Sequence, residues 1–375
     1  MIIKNIKIVT PTKVIEDGYM EIVDGKIASI NEGKCSRDGI DGHGEIAMPG
    51  FVDIHIHGSN NIDFLTADKD DIKKAADSLY SEGVTTFLAT SLTADYGTLE
   101  KFCATIKEAM KIAPNLGGIH FEGPFISVKY KGAQNPEYIV DPDSKELDKW
   151  IELSGNNVRL ITIAPEKNGS AEFIEHAVSK GVTCSAGHSD ASFKDIEEAI
   201  KHGLTNTTHT HNAMSPHHHR NPGVVTAAFY FDSLNCECIC DGIHVSPDTI
   251  KTFYKIVGPD RFMIITDALK IKHSDVNEFE LFGLPCERKN GAAYLKTGPL
   301  AGSLLTLDQG VRNMRDWVET DLISLSKISS TNAARSLHMN DRGSLEIGKL
   351  ADFVLLDEEF NVNATYKAGN LVYSK

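Results

Sequence analysis

The segment FVDIHIH (Phe51–His57) reads first as a strand. Phe51, Val52, Ile54 and Ile56 are apolar and of the β-branched or aromatic types that strands favour. His55 and His57 stand two apart, so they share one face of that strand, and Gly58 follows at once. Two imidazoles side by side at the end of an apolar strand mark a candidate chemical site.

Seven more short apolar segments follow: VTTFLAT from Val84, LGGIHFEG from Leu116, VRLITIAPE from Val158, VTCSAGH from Val182, LTNTTHTH from Leu204, NCECICDG from Asn235 and FMIITDA from Phe262. Most intervals between them carry helical patterns. Asp68–Gly83 opens with acids and stops at glycine. Ser170–Gly181 has a serine at its start and a glycine stop, and Ser192 with Asp195 approaches a capping box. Eight β-then-α units predict a parallel (β/α)8 TIM-like barrel over residues 48–342. A doubly wound open sheet would need a fingerprint such as GxGxxG, which the sequence lacks. Residues 1–47 and 343–375 are different: both hold short alternating strands and turns, and neither can bury a core alone. Together they predict one small β-sandwich domain built from both termini. At 375 residues the chain exceeds what one core usually serves, which agrees with a large and a small domain.

A net charge of −14 argues against a nucleic-acid partner. No apolar run approaches the ~18 residues of a membrane span. The N-terminal MIIKNIKIVTPTKV carries lysines within its apolar run and reads as a strand, not a signal peptide. Seven dispersed cysteines indicate reduced thiols and a cytoplasmic setting. Cys236, Cys238 and Cys240 alternate as a buried strand face would.

Barrel enzymes keep their chemistry at the C-terminal ends of the strands. His55 and His57 stand at the first such end, Glu122 at the third, His188 just past the fifth and His209 with His211 at the sixth. Asp241 and His244 stand at the seventh, and Asp267 at the eighth. A lone residue of this kind is ordinarily a structural one or a turn cap; residues at six of eight strand ends converge on one mouth. The run His217–His219, between Pro216 and Pro222, reads instead as a solvated loop. Imidazoles with carboxylates and no thiolate suit a divalent ion, Zn2+ first and Fe2+ or Mn2+ as alternatives. Such an ion activates water, and a carboxylate placed like Asp267 takes the water's proton: metal-assisted hydrolysis.

In these residues the sequence resembles the amidohydrolase superfamily and, within it, the N-acetylglucosamine-6-phosphate deacetylase family. PGFVDIHIHG (Pro49–Gly58) is similar to the superfamily's first-strand motif, and GSLEIGKLADFVLLD (Gly343–Asp357) to its C-terminal signature. The narrower resemblance rests on HFEGPF (His120–Phe125), GHSDAS (Gly187–Ser192), THTHNAMSP (Thr208–Pro216) and DGIHVSP (Asp241–Pro247), in that order. It implies a metal held by Glu122, His188 and His209, with Glu122 standing where many members have a carboxylated lysine. It implies a second ion at His55 and His57, sharing Glu122, so one or two per subunit, and a catalytic Asp267. Asn212 and Ala213 match residues that contact the sugar, and Arg220 and His244 match residues that meet a phosphate. Leu300, Ala301, Gly302 and Ser303 match a loop that closes on the ligand. Ala133 and Gln134 stand where several members have a Thr–His or similar pair, and a glutamine can hydrogen-bond but carries no charge. The resemblance further implies an amino-sugar phosphate substrate and a homodimer, with Arg220 acting in its own or the neighbouring subunit's site. The galactosamine epimer and a cyclic amide remain alternative substrates, although HFEGPF and the missing bridging lysine argue against the latter.

Overall fold

The computed structural model describes all 375 residues. Each of the eight apolar segments forms a parallel strand: β1 (Phe51–Ile56), β2 (Val84–Ser91), β3 (Leu116–Glu122), β4 (Val158–Ile163), β5 (Thr183–Ala186), β6 (Asn206–Thr207), β7 (Asn235–Ile239) and β8 (Phe262–Ile265). Each pairs with its neighbour in sequence. The circle closes just beyond β8, where Ile56 bridges Ala268 and the Asp267 N–H donates to the His55 carbonyl at 2.8 Å. Both faces of these strands are covered, as a parallel sheet requires. Alternation sorts them: Phe87 and Ala89 of β2, Ile161 and Ile163 of β4 and Phe262 and Ile264 of β8 join one large apolar cluster. Leu88, Leu160, Met263 and Ile265 join a second cluster with Leu337. The face of Leu88 and Leu160 continues as Thr90 and Thr162. Their hydroxyls form a polar layer with His120 and Thr208; His120 Nε2 lies 2.8 Å from Thr162, and Thr162 2.8 Å from Thr208. The strands of Thr162 and Thr208 are not neighbours, so this layer crosses the barrel interior.

Three caps show how the helices are placed. The capping box at Ser192 and Asp195 starts helix Phe193–Lys201 as the sequence indicates. Asp68 caps Lys69–Ser78. Ser170 differs from expectation: Gly169 is the N-cap, and the Ser170 hydroxyl turns back to the Ala164 carbonyl at 3.0 Å. All seven cysteines are free and six are buried, including Cys236, Cys238 and Cys240.

The second domain is one mixed sheet drawn from both termini, with order Asn370–Ser374, Val362–Lys367, Phe353–Leu356, Ile46–Pro49, Ile2–Val9, Val14–Val23, Lys26–Glu32. It folds over its own core: Ile27 and Leu355, from opposite halves of the sheet, share one cluster. Val354 and Leu356 alternate with Phe353 and Leu355 and face the barrel instead.

Between β8 and the last helices lies a four-stranded antiparallel sheet, Glu278–Leu281, Leu284–Lys289, Ala292–Leu295 and Leu300–Ser303. Its first two turns are Phe282–Gly283 and Asn290–Gly291, all with positive φ, as two-residue type I′ hairpins demand.

One buried ion pair fastens the β1 side of the barrel to the β8 side. Glu82 and Lys272 are both about 1% exposed; Lys272 Nζ lies 2.7 Å from Glu82 Oε1, and His273 Nε2 also lies 2.7 Å away. The Leu307 N–H donates to Glu82 Oε2 at 3.0 Å. Burial pushes the Glu82 carboxyl pKa up, but Lys272 and His273 outweigh it and hold the group below its usual range. Its stabilising share is therefore complete above the unfolded-state pKa and is withdrawn as pH falls through the lower folded-state value. Glu82→Gln keeps the shape, leaves Lys272 without its anion and is expected to cost about 3–5 kcal/mol. Denaturant unfolding checks this; a loss below 1 kcal/mol would show that His273 or water replaces the pair.

Candidate metal centre and active site

The strand ends deliver six ligand-type side chains to one point. Glu122 ends β3 and is 3% exposed. His188 follows β5 and His209 follows β6; both, like Asp267 past β8, take positive φ (+47°, +30° and +49°). Such backbone is costly for a non-glycine residue and persists where surrounding structure fixes it, commonly at functional sites.

His188 Nε2 and His209 Nε2 each lie 3.0 Å from Glu122 Oε1, and 3.1 Å from each other. His57 Nε2 lies 3.1 Å and His55 Nε2 3.5 Å from Asp267 Oδ1. The same two rings reach Glu122, His55 to Oε1 at 3.3 Å and His57 to Oε2 at 3.4 Å. Two ligand groups result, Glu122–His188–His209 and His55–His57–Asp267, all buried, with Glu122 between them. Asp267 thus joins the first-strand pair as well as facing the cavity.

These residues fit a divalent ion. Two ring nitrogens 3.1 Å apart that aim at one carboxylate oxygen need a cation among them, either a proton or a metal. The His188 ring is already oriented: its Nδ1–H donates to the Tyr130 carbonyl at 2.9 Å, which leaves Nε2 as a lone-pair donor. His55 Nε2 is buried with no hydrogen-bond partner. The charges agree. Burial alone would pull the His55 pKa down, but Glu122 and Asp267 hold it well above the ordinary value. Burial would push the Glu122 pKa up, but His55, His188 and His209 hold it well below. Asp267, buried yet facing His55 and His57, is likewise held low and is a carboxylate at neutral pH.

Above the centre lies a cavity of about 310 Å³, within the size of small-molecule sites. Ala133, Gln134, Asn212, Ala213, His244, Leu300, Ala301 and Gly302 line it. Asp241 accepts from His244 Nδ1 at 2.6 Å. Although burial works against it, Asp241 raises the His244 pKa, and the His244 ring faces the cavity.

Several residues are not where the sequence reading puts them. Gln134 is no free sugar contact: its Oε1 accepts the Thr93 N–H at 2.7 Å and its Nε2 donates to Glu122 Oε2 at 2.5 Å. It holds the ligand Glu122. Ser303 is fully buried, and its hydroxyl donates to the Thr266 carbonyl at 2.5 Å, which fixes the end of β8. Arg220 is exposed, donates from Nη1 to His219 Nε2 at 2.8 Å and lines a separate recess with Asp190, Ser192 and Lys194. His211 packs edge-on against Phe253, and burial pushes its pKa down to about 4, so the ring is neutral. His217 and His219 are exposed in their loop.

Four lining or supporting residues escape the strand-end rule. Lys129 and Tyr130 line the cavity from the loop after β3, and Leu92 from the end of β2. Glu237 sits inside β7, fully buried, with its Oε2 3.1 Å from His55 Nδ1.

Comparison with known proteins agrees with this geometry. An N-acetylglucosamine-6-phosphate deacetylase from Lysinibacillus sphaericus is 37% identical over 99% of this chain and 97% of its own. An N-acetylgalactosamine-6-phosphate deacetylase from Escherichia coli O157:H7 is 30% identical over 95% of each. The structure of a mutant N-acetyl-D-glucosamine-6-phosphate deacetylase from Mycobacterium smegmatis, in complex with N-acetyl-D-glucosamine-6-phosphate, superimposes with a TM-score of 0.95. It covers 100% of this chain and 99% of that one, at 29% identity. The model of the amidohydrolase family matches residues 46–372, a span that takes in every barrel strand and all six metal-ligand candidates, and this chain belongs to that family.

Proposed function

We propose that the protein hydrolyses the acetamide of N-acetylglucosamine 6-phosphate to glucosamine 6-phosphate and acetate. The observation that carries the chemistry is the pair of ligand groups, with Glu122 between them, on the floor of a cavity that His244 also faces. The relatives' substrates support the choice of sugar.

Glu122, His188 and His209 would hold one divalent ion, and His55, His57 and Asp267 a second, which would supply the Lewis acidity that makes water nucleophilic near neutral pH. The chain's own groups do the rest. Asp267 takes the attacking water's proton and returns it to the departing amine. Asn212, Ala213 and the Leu300–Gly302 edge bind the sugar, and His244 faces its phosphate. Gln134 keeps Glu122 in place. Zn2+ suits the nitrogen and oxygen donors, with Fe2+ or Mn2+ as alternatives. Free, mostly buried thiols suit a reducing cytoplasm. Because Arg220 lies on an exposed loop, outside its own cavity, we assign it to the neighbouring site of a homodimer.

One experiment tests substrate and dimer together. Wild type and Arg220→Ala are incubated with N-acetylglucosamine 6-phosphate, its galactosamine epimer and unphosphorylated N-acetylglucosamine, and free amine is measured. The phosphorylated glucosamine derivative is expected to be preferred. The variant should lose about 10- to 100-fold in kcat/KM on phosphorylated sugar, the scale of one charge-assisted bond, and almost nothing on the unphosphorylated one. Preference for the epimer reassigns the sugar; no amine from any of them removes the reading. When subunits exchange, mixing Arg220→Ala with Asp267→Asn protein should restore part of the activity, since each mixed dimer then holds one site with both residues.

A further inference from the structure

Glu237 belongs to no motif of the site, yet it lies beneath both ligand groups. It is fully buried in β7, and His55 is on β1, so their contact spans the barrel interior past β8. Its Oε2 lies 3.1 Å from His55 Nδ1 and accepts the His209 backbone N–H at 3.1 Å. One carboxylate oxygen therefore touches a ring of one ligand group and the backbone of a ligand from the other.

We propose that Glu237 is a positioning residue that creates the outer ion position. A neutral imidazole binds a metal through one nitrogen only when its proton is on the other, and an acceptor at that other nitrogen decides which. Glu237 offers only an acceptor at Nδ1, so it fixes the proton there and leaves Nε2 of His55 as the lone-pair donor aimed at Glu122 and Asp267. His57 has no such support, because its Nδ1 is buried without a partner. The outer group therefore depends on Glu237 for its one oriented ring. The inner group has its own orienting contact, the Tyr130 carbonyl on His188. Glu237 meets the inner group only at the His209 backbone, whereas it orients a ring of the outer group, so removing Glu237 weakens the outer position more than the inner one. This inference rests on the metal-centre reading above.

The test uses full-length protein stripped of metal and titrated with Zn2+, with bound zinc per chain determined by elemental analysis. Wild type is expected to hold two ions. Glu237→Ala is expected to bind the outer ion about 10–100-fold more weakly, the usual effect of losing such a partner. Its inner ion should change less than about threefold. Glu237→Gln fills the same volume and retains a carbonyl acceptor; it should fall between wild type and alanine, and it serves as the test if the alanine variant does not fold. One ion in the wild type overturns the proposal, as does unchanged outer affinity or equal weakening of both ions in a folded variant. Deacetylation is scored separately. Turnover with a single ion leaves the functional reading standing and removes this inference; two ions of which only the outer depends on Glu237, without turnover on any amino-sugar phosphate, do the reverse.

Discussion

Asp267→Asn is expected to reduce kcat by about 10²–10⁴-fold, the usual contribution of a general acid–base group. Asparagine has nearly the same shape, so the hydrogen bonds of the Asp267 backbone, from its N–H to the His55 carbonyl and from the Ser303 N–H to its own carbonyl, should survive. Asparagine also tolerates the positive φ at this position. What it loses is the ability to take a proton. The inner ion should remain, because Glu122, His188 and His209 are untouched. The outer ion should weaken, because Asp267 Oδ1 lies 3.1 Å from His57 Nε2 and forms part of that group. Steady-state kinetics with elemental analysis on the same sample separates the two effects. A wild-type kcat would remove Asp267 from the chemistry, and loss of both ions would reassign it to the inner site.

Loss of the inner ion itself should be more complete. In His188→Asn the inner site is left with Glu122 and His209 alone, and the shorter amide cannot reach Glu122 Oε1, which the imidazole meets at 3.0 Å. Asparagine again suits the left-handed backbone at this residue, so a folding defect from strain is avoided. Metal content should fall by at least the inner equivalent and turnover to background. His55→Ala, by contrast, should lose only the outer ion. Near-complete metal retention in His188→Asn would sink the inner-site assignment.

Much of this architecture was written locally. The eight strands are apolar runs with turn signals, and the ligands stand where those runs stop, so counting strands was enough to bring His55, Glu122, His188, His209 and Asp267 to one mouth. Glu237 was legible by parity but gave no strand-end signal. If Cys236, Cys238 and Cys240 face the helices, the residue between the first two must face the barrel interior, where a carboxylate needs a partner. The Asn290–Gly291 turn is a hairpin signal that a count of parallel strands passes over, so the four-stranded antiparallel sheet was missed. Arg220, Gln134 and Ser303 were harder for a different reason. Their roles depend on what sits across a loop or behind a strand: Glu122 and Thr93 for Gln134, the Thr266 carbonyl for Ser303, open surface for Arg220. No spacing within the chain encodes such neighbours.

The sheet built from both ends of the chain has a consequence for synthesis on the ribosome. Strand Ile46–Pro49, made before the barrel, pairs on one side with Ile2–Val9 and on the other with Phe353–Leu356, which is made after it. Until then one edge of that strand, and the side chains of Ile46 and Met48, have no final neighbour on that side. The nascent chain must hold an unpaired strand edge through translation of the whole barrel, a state in which strand edges invite pairing with other chains. The segment from Phe353 onward therefore acts as a clasp: a chain released before Phe353 keeps every metal-ligand candidate and every barrel strand, but leaves that edge open.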